Sequence, residues 1–184
     1  LLVSFERDGG YAIASFDVSG VARSERLGAP LPLAPNPVPQ LGRLETARTA
    51  ELLMEGGAMG RMSGAMMGGQ RMGMREMSGA GKVWAFNGMA DMPDAPLVAA
   101  DRGETVQIDI INDTVWPHAM HLHGHHFRQI ASDGTAGPLR DTLLMDRGET
   151  AQIAFVADNP GDWLLHCHML EHSAGGMMTW LRVV

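Results

Sequence analysis

From residue 81 onward the chain is a series of short apolar runs broken by turn residues, which limits it to a β architecture. The runs are Lys82 to Phe86, Thr105 to Ile111, Phe127 to Ala131, Thr142 to Met145, Thr150 to Val156, Asp162 to His166 and Met178 to Val184. Gly, Asp, Asn and Pro punctuate them, as in Asp146-Arg147-Gly148 and Asp158-Asn159-Pro160-Gly161. No long stretch carries a helical apolar period. Strands at this spacing predict an antiparallel, all-β sandwich over 81–184. Arg-Gly-Glu-Thr stands at 102–105 and again at 147–150, and is read as a turn that opens a strand.

The residues before 81 are organised differently. Leu1 to Phe5 and Tyr11 to Phe16 flank Arg7-Asp8-Gly9-Gly10, which predicts a hairpin. Two strands cannot bury a core alone, so residues 1–20 are expected to be the tail of a preceding domain. Pro30, Pro32, Pro35, Pro37 and Pro39 stiffen a linker expected over 21–50. Residues 44–55 suit a short helix stopped by Gly56-Gly57. Residues 51–80 hold eight of the fifteen Met and eight Gly. That composition predicts a flexible segment without a packed core.

Other classes are disfavoured by simple counts. A net charge of -7 argues against nucleic acid, which attracts basic surfaces. No run approaches ~18 apolar residues, so no membrane span is expected. Cys167 is the single cysteine, which excludes an internal disulfide. A lone cysteine is commonly a buried small hydrophobe, so its neighbours must decide its role. The chain opens Leu1-Leu2-Val3 with no initiator Met and no signal peptide, as expected of a processed chain or a piece of a longer one.

All eight histidines fall in two clusters. One is His118-Ala119-Met120-His121-Leu122-His123-Gly124-His125-His126. The other is His166-Cys167-His168-Met169-Leu170-Glu171-His172, with Met177 five residues on. Side chains alternate faces along a strand. His121 and His123 therefore share a face, as do His166 and His168. Cys167 points the other way, and so does His118. This sorts the residues into His118, Cys167, His172 and Met177 on one side and four imidazoles on the other. One thiolate, two imidazoles and a thioether favour copper. Zinc is the rival, because it takes Cys and His but seldom Met. Cys167 is bonded through backbone to both His166 and His168, so it gives electrons a short path between the two groups.

These two motifs resemble those of the multicopper oxidases, the family of laccases, bilirubin oxidases and bacterial copper efflux oxidases. The match covers 81–184 in order and spacing; Ala119 stands where the family usually has Pro. The resemblance implies a Greek-key cupredoxin sandwich. It implies that His118, Cys167, His172 and Met177 bind a type 1 copper, His121 a type 2 copper, and His123, His166 and His168 a type 3 pair. It makes Cys167, His166 and His168 the electron-carrying catalytic strand. It further implies four more His ligands from an N-terminal cupredoxin domain or companion chain, O2 as electron acceptor, and a periplasmic or secreted location. His125 is expected to support the ligands rather than bind copper, and His126 to be structural. Ser173 stands where efflux-type oxidases commonly have an acidic residue for proton delivery. Its hydroxyl is a weak substitute, so another acid is expected to serve. Asp113 is expected to form a strand-end turn, or else to orient His118.

Met54, Met59, Met62, Met66, Met67, Met72, Met74 and Met77 allow two interpretations, a chance insertion or a thioether set that captures Cu(I). Efflux-type oxidases carry a Met-rich insertion at a similar place. The reductant is therefore expected to be a phenol or cuprous ion. Two other functions stay open: a single-copper electron-transfer cupredoxin, which has no use for the four-imidazole group, and a copper-sequestering protein, which does not explain the two ligand motifs.

Overall fold

The computed structural model describes residues 2–6, 9–25, 27–35 and 37–184. They form two compact units, Leu1–Pro37 and Val38–Val184. In the first, β1 (Leu2–Glu6) and β2 (Gly9–Ala14) pair antiparallel, with Glu6 opposite Gly9. Leu1, and Arg7 and Asp8 of the expected turn, lie outside the described residues.

The second unit contains β3 (Arg48–Gly56), β4 (Gly64–Met67), β5 (Gln70–Gly73), α1 (Met74–Gly79), β6 (Trp84–Phe86), β7 (Val98–Ala100) and β8 (Thr105–Asn112). There follow β9 (His118–Leu122), β10 (Phe127–Ile130), β11 (Ala136–Arg140), β12 (Thr142–Met145), β13 (Thr150–Val156), β14 (Gly161–Cys167), α2 (Leu170–Ala174) and β15 (Met178–Val183). Two sheets form a cupredoxin-like sandwich. One runs β11-β10-β13-β8-β3-β6, the other β12-β9-β14-β15-β7. Leu52, Ile108, Ile110, Ile153 and Phe155 of the first sheet share one buried cluster with Met120, Leu122, Leu165 and Leu181 of the second. Both sheets are mixed: β3 lies parallel to β8, and β7 parallel to β15. Among the described residues no helix is long and apolar enough to cross a membrane.

The repeated Arg-Gly-Glu-Thr is a turn with the same chemistry twice. The Glu104 carboxylate accepts from Asp101 N–H at 2.8 Å, and that of Glu149 from Asp146 N–H at 2.7 Å. The two turns lead directly into β8 and β13, which pair with each other.

Two expectations need correction. Residues 44–55 are not a helix: Leu44–Thr46 is a single 3-10 turn, and β3 follows. Leu52 and Met54 are buried while Glu51 is exposed, a period of two that suits a strand. Good helix formers are overridden here by pairing to β8 and β6. The sandwich thus draws on residues well before 81, with β3 contributing Leu52 and Met54 to its core.

The Met/Gly-rich stretch is not structureless either. β4 and β5 form a hairpin closed by Gly68-Gly69, both at positive φ (56° and 77°), the demand of a two-residue turn between twisted strands. Ala65, Met77, Ala85 and Ala90 make a small second cluster, with Met62, Met72 and Met74 packed on it. Unbranched thioethers fill such an irregular space well, which is why so few other apolar residues suffice. Of the eight Met in this stretch only Met59 is largely exposed, at 82%.

Candidate metal centre

β9 and β14 are adjacent and antiparallel, with His166 opposite His121 and Cys167 opposite Met120. Along β9, His118, Met120 and Leu122 are buried against the sandwich interior while Ala119 and His121 face outward. Cys167 is wholly buried on the inner side. Burial alternates along β9 as the spacing anticipated; on β14 Leu165, His166 and Cys167 are all buried, and the split shows in their partners instead, with Cys167 Sγ beside His118 and His172 and His166 Nε2 beside His123 Nε2.

The inner group is compact. His118 Nδ1 and His172 Nδ1 lie 3.0 Å apart. Cys167 Sγ is 3.8 Å from the first and 3.7 Å from the second. Among the described residues this is the only group with three ligand atoms all within 4.8 Å. An ion at ~2.0 Å from nitrogen and ~2.3 Å from sulfur fits within such a triangle. His172 rides on α2, whose turn is held by Gly175 N–H donating to Glu171 carbonyl at 2.8 Å. Met177 closes the loop: its carbonyl accepts from Cys167 N–H at 3.2 Å, and its side chain is buried in the same cluster as Cys167. Gly176 makes this closure possible. Its φ is 123°, and a Cβ there would stand 2.3 Å from the Trp84 carbonyl oxygen.

Burial sets the electrostatics of the inner group. It pushes the His118 pKa down to about 4, helped by the neighbouring His172. It also lowers that of His172 and raises that of the Cys167 thiol. Imidazoles are thus held neutral, as ligands must be, and the thiolate form needs a cation beside it. A soft thiolate with two imidazoles in this arrangement fits copper.

The outer group is more open. His123 and His168 are exposed, His121 is partly buried, and His166 is buried. Ring centroids of His121 lie 4.8 Å from His123, 5.7 Å from His166 and 5.1 Å from His168. His123 Nε2 and His166 Nε2 are 3.1 Å apart. His121 donates from Nδ1 to the Asp141 carbonyl at 2.8 Å, which leaves Nε2 free to act as a ligand. These four imidazoles share one face but do not converge on a single point.

His125 breaks the alternation. Gly124, at φ 71°, turns the chain over the Trp163 ring, and His125 is buried with its ring 5.1 Å from Phe155. Its Nε2 is 3.9 Å from Asp158 Oδ1. His126 is exposed, and Ser173 N–H donates to the Met169 carbonyl within the α2 turn. Asp113 is exposed, and its N–H donates to the Met54 carbonyl, a strand-end role.

Three neighbours of the site were not anticipated. Trp84 packs its ring 5.0 Å from His118 and 4.8 Å from His172. Thr114 Oγ1 sits 2.8 Å from His118 Nε2. Trp116 joins Trp84, Met74 and His172 around a cleft of about 460 Å³. A Trp opening a strand and an Asn-Asp-Thr turn four residues before a histidine were the only signals available.

The multicopper oxidase family profile matches residues 67–184. The chain is 38% identical over 102 residues to multicopper oxidase MmcO of Mycobacterium tuberculosis, covering 55% of this chain and 20% of that protein. It is 35% identical over 101 residues to copper resistance protein A of Pseudomonas syringae pv. tomato, covering 55% and 16%. The structure is similar to that of Lac15 from a marine microbial metagenome, with 34% identity and TM-score 0.66 over 98% of this chain and 37% of the other. The chain thus spans only a fifth or less of the length of these curated relatives. With the family profile covering more than half of the chain and both histidine motifs inside it, the chain belongs to the multicopper oxidase family.

Proposed function

We propose that this chain is the copper-bearing C-terminal part of an oxidase that removes single electrons from a reductant and passes four of them, together with four protons from solvent, to O2, giving two molecules of water. The observation that carries this is the sharing of one strand. Cys167, whose sulfur lies beside His118 and His172, and His166, whose Nε2 lies beside His123, are sequence neighbours on β14, so the thiolate site and the four-imidazole group are joined by backbone.

In this reading His118, Cys167, His172 and Met177 hold a type 1 copper. His121 serves a type 2 copper, and His123, His166 and His168 serve a type 3 pair. Bound copper supplies one-electron chemistry at the first site and oxygen reduction at the second. The protein's part is to keep the imidazoles neutral, bury the thiolate away from water, and point the outer imidazoles at one surface. That surface offers half of a ligand set, and an N-terminal cupredoxin domain or companion chain supplies four more His. Residues 1–20 are the tail of a preceding cupredoxin domain, and the proline-rich stretch after them is a linker. The periplasm or the cell exterior is the proposed location.

The reductant meets the protein at the cleft beside His172. Trp84, Trp116, Val83 and Met74 give it apolar and aromatic walls, which suit a phenolic ring. Cuprous ion is the second candidate, favoured by Met74 at the cleft wall and Met59 on the surface.

The test is stoichiometry in the complete copper-loaded protein. Four equivalents of reductant consumed per O2, with no peroxide released, is the expected result. Peroxide as the product, or no oxygen uptake by the complete protein, contradicts the proposal.

A further inference from the structure

We infer that Thr114 is a positioning residue for His118: its hydroxyl fixes which ring nitrogen carries the proton, and so keeps Nδ1 bare for the metal. The inference rests on the copper reading of the Cys167 site and extends it to a residue outside the ligand set.

The proton bookkeeping begins at Asn112, which is 1% exposed. Its Nδ2 donates to the carbonyl oxygens of Trp116 and Asp146, both at 2.8 Å. Two carbonyl acceptors fix the orientation of the amide, so Oδ1 must be an acceptor. It accepts from Thr114 N–H at 3.0 Å and lies 2.7 Å from Thr114 Oγ1. The hydroxyl has one proton, and the closest acceptor for it is Asn112 Oδ1. The Trp116 carbonyl, at 3.1 Å, is a longer alternative for the same proton. In either case Oγ1 is left with lone pairs for its other neighbours. Trp116 N–H donates to it at 3.2 Å. His118 Nε2, at 2.8 Å, must then also donate.

The consequence is a defined tautomer. With Nε2 protonated, Nδ1 is the bare nitrogen, and it is the one that faces Cys167 Sγ and His172 Nδ1. The reverse arrangement sends the hydroxyl proton to Nε2. It puts an N–H into the middle of the ligand triangle, where a lone pair is required. Thr114 and His118 are 4% and 0% exposed, so water does not compete for either group. Asp113, the neighbouring acid, takes no part in this network.

Histidine-selective ¹⁵N spectra of the metal-free chain above neutral pH read the tautomer directly. His118 is expected to be protonated at Nε2. Thr114→Val keeps the branched shape and removes the hydroxyl. It is expected to mix or invert the tautomer and to weaken copper binding by roughly tenfold or more. It should also move the midpoint potential and hyperfine splitting of the copper-loaded chain. Thr114→Ser should restore all of these. A parent chain protonated at Nδ1 of His118 overturns the inference, as does a Thr114→Val variant with the parent's tautomer and copper affinity. The copper reading fails separately, if the parent binds copper without a thiolate band. The metal-free spectra decide the role of Thr114 in that case too.

Discussion

His166 donates a hydrogen bond from Nδ1 to the carbonyl oxygen of Cys167, 2.9 Å away. The bond joins an outward imidazole to the backbone of the residue whose sulfur points inward. It fixes the His166 tautomer and leaves Nε2 directed at His123 Nε2. On the proposed assignment, a ligand of one site is thereby oriented by the main chain of a ligand of the other, in addition to the covalent link between them.

The two sites should consequently be separable by mutation. His166→Ala in the complete protein removes an outer imidazole and leaves His118, Cys167 and His172 in place. Oxygen uptake is expected to fall at least a hundredfold, while the thiolate-to-copper absorption persists and is still bleached by reductant. Visible spectra and oxygen electrode traces on the same sample check this. Loss of the absorption together with oxygen uptake contradicts the division into two groups.

The buried imidazoles make the metal-free chain sensitive to acid. The folded pKa of His118 is about 4, below its unfolded value near 6.5, so the unfolded chain binds more protons in that window. Stability is fully present above the unfolded pKa and is lost as pH falls toward 4. His118 contributes at most ~3 kcal/mol to that loss. His172 and His166 are shifted in the same direction by burial and add to it. Urea midpoints of the metal-free chain should fall steadily from pH 7 to pH 4. A flat profile would show that these imidazoles are not held neutral by the fold.

Trp84 fills the space against both histidines of the inner group. Trp84→Ala is expected to cost about 3–5 kcal/mol, the usual penalty for emptying a buried aromatic site. It should also weaken copper binding, because the His118 and His172 rings lose a common wall. Thermal melts with and without copper measure both effects. Full stability in the variant would mean that the site is held by its loops alone.

The fate of the methionines bears on the reductant. Removing 54–77 as a block would extract Met54 and Met77, both wholly buried, and damage the fold. Point substitutions are cleaner. Met59→Leu with Met74→Leu preserves apolar volume and removes two thioethers. If cuprous ion is the reductant, kcat/KM for Cu(I) should fall roughly tenfold while phenol oxidation stays within about twofold. Equal effects on both reductants would count against capture of Cu(I) by these thioethers.

Much of the site was legible because its geometry is a property of strands. The alternation of His118, His121, Cys167 and His166 follows from period two alone, and the pairing of β9 with β14 brings both motifs together. His125 was not legible, since Gly124 reverses the chain before it and no local pattern reports that. Residues 44–55 read as a helix because Leu, Glu and Met favour one, and only the distant partner β8 makes Arg48–Gly56 a strand. The Met/Gly stretch looked unable to pack because its core is small and made of thioethers and alanines. Thr114 was hidden because its role depends on the Asn112 amide, which is oriented by the carbonyls of Trp116 and Asp146.

The most direct test of the central claim is copper loading of the chain, followed by absorption and EPR spectra with copper counted. The account predicts close to one tightly held copper per chain, an intense visible thiolate band and a narrow hyperfine splitting, all abolished by Cys167→Ser. A chain that binds zinc in preference, or binds copper with no band dependent on Cys167, would contradict it.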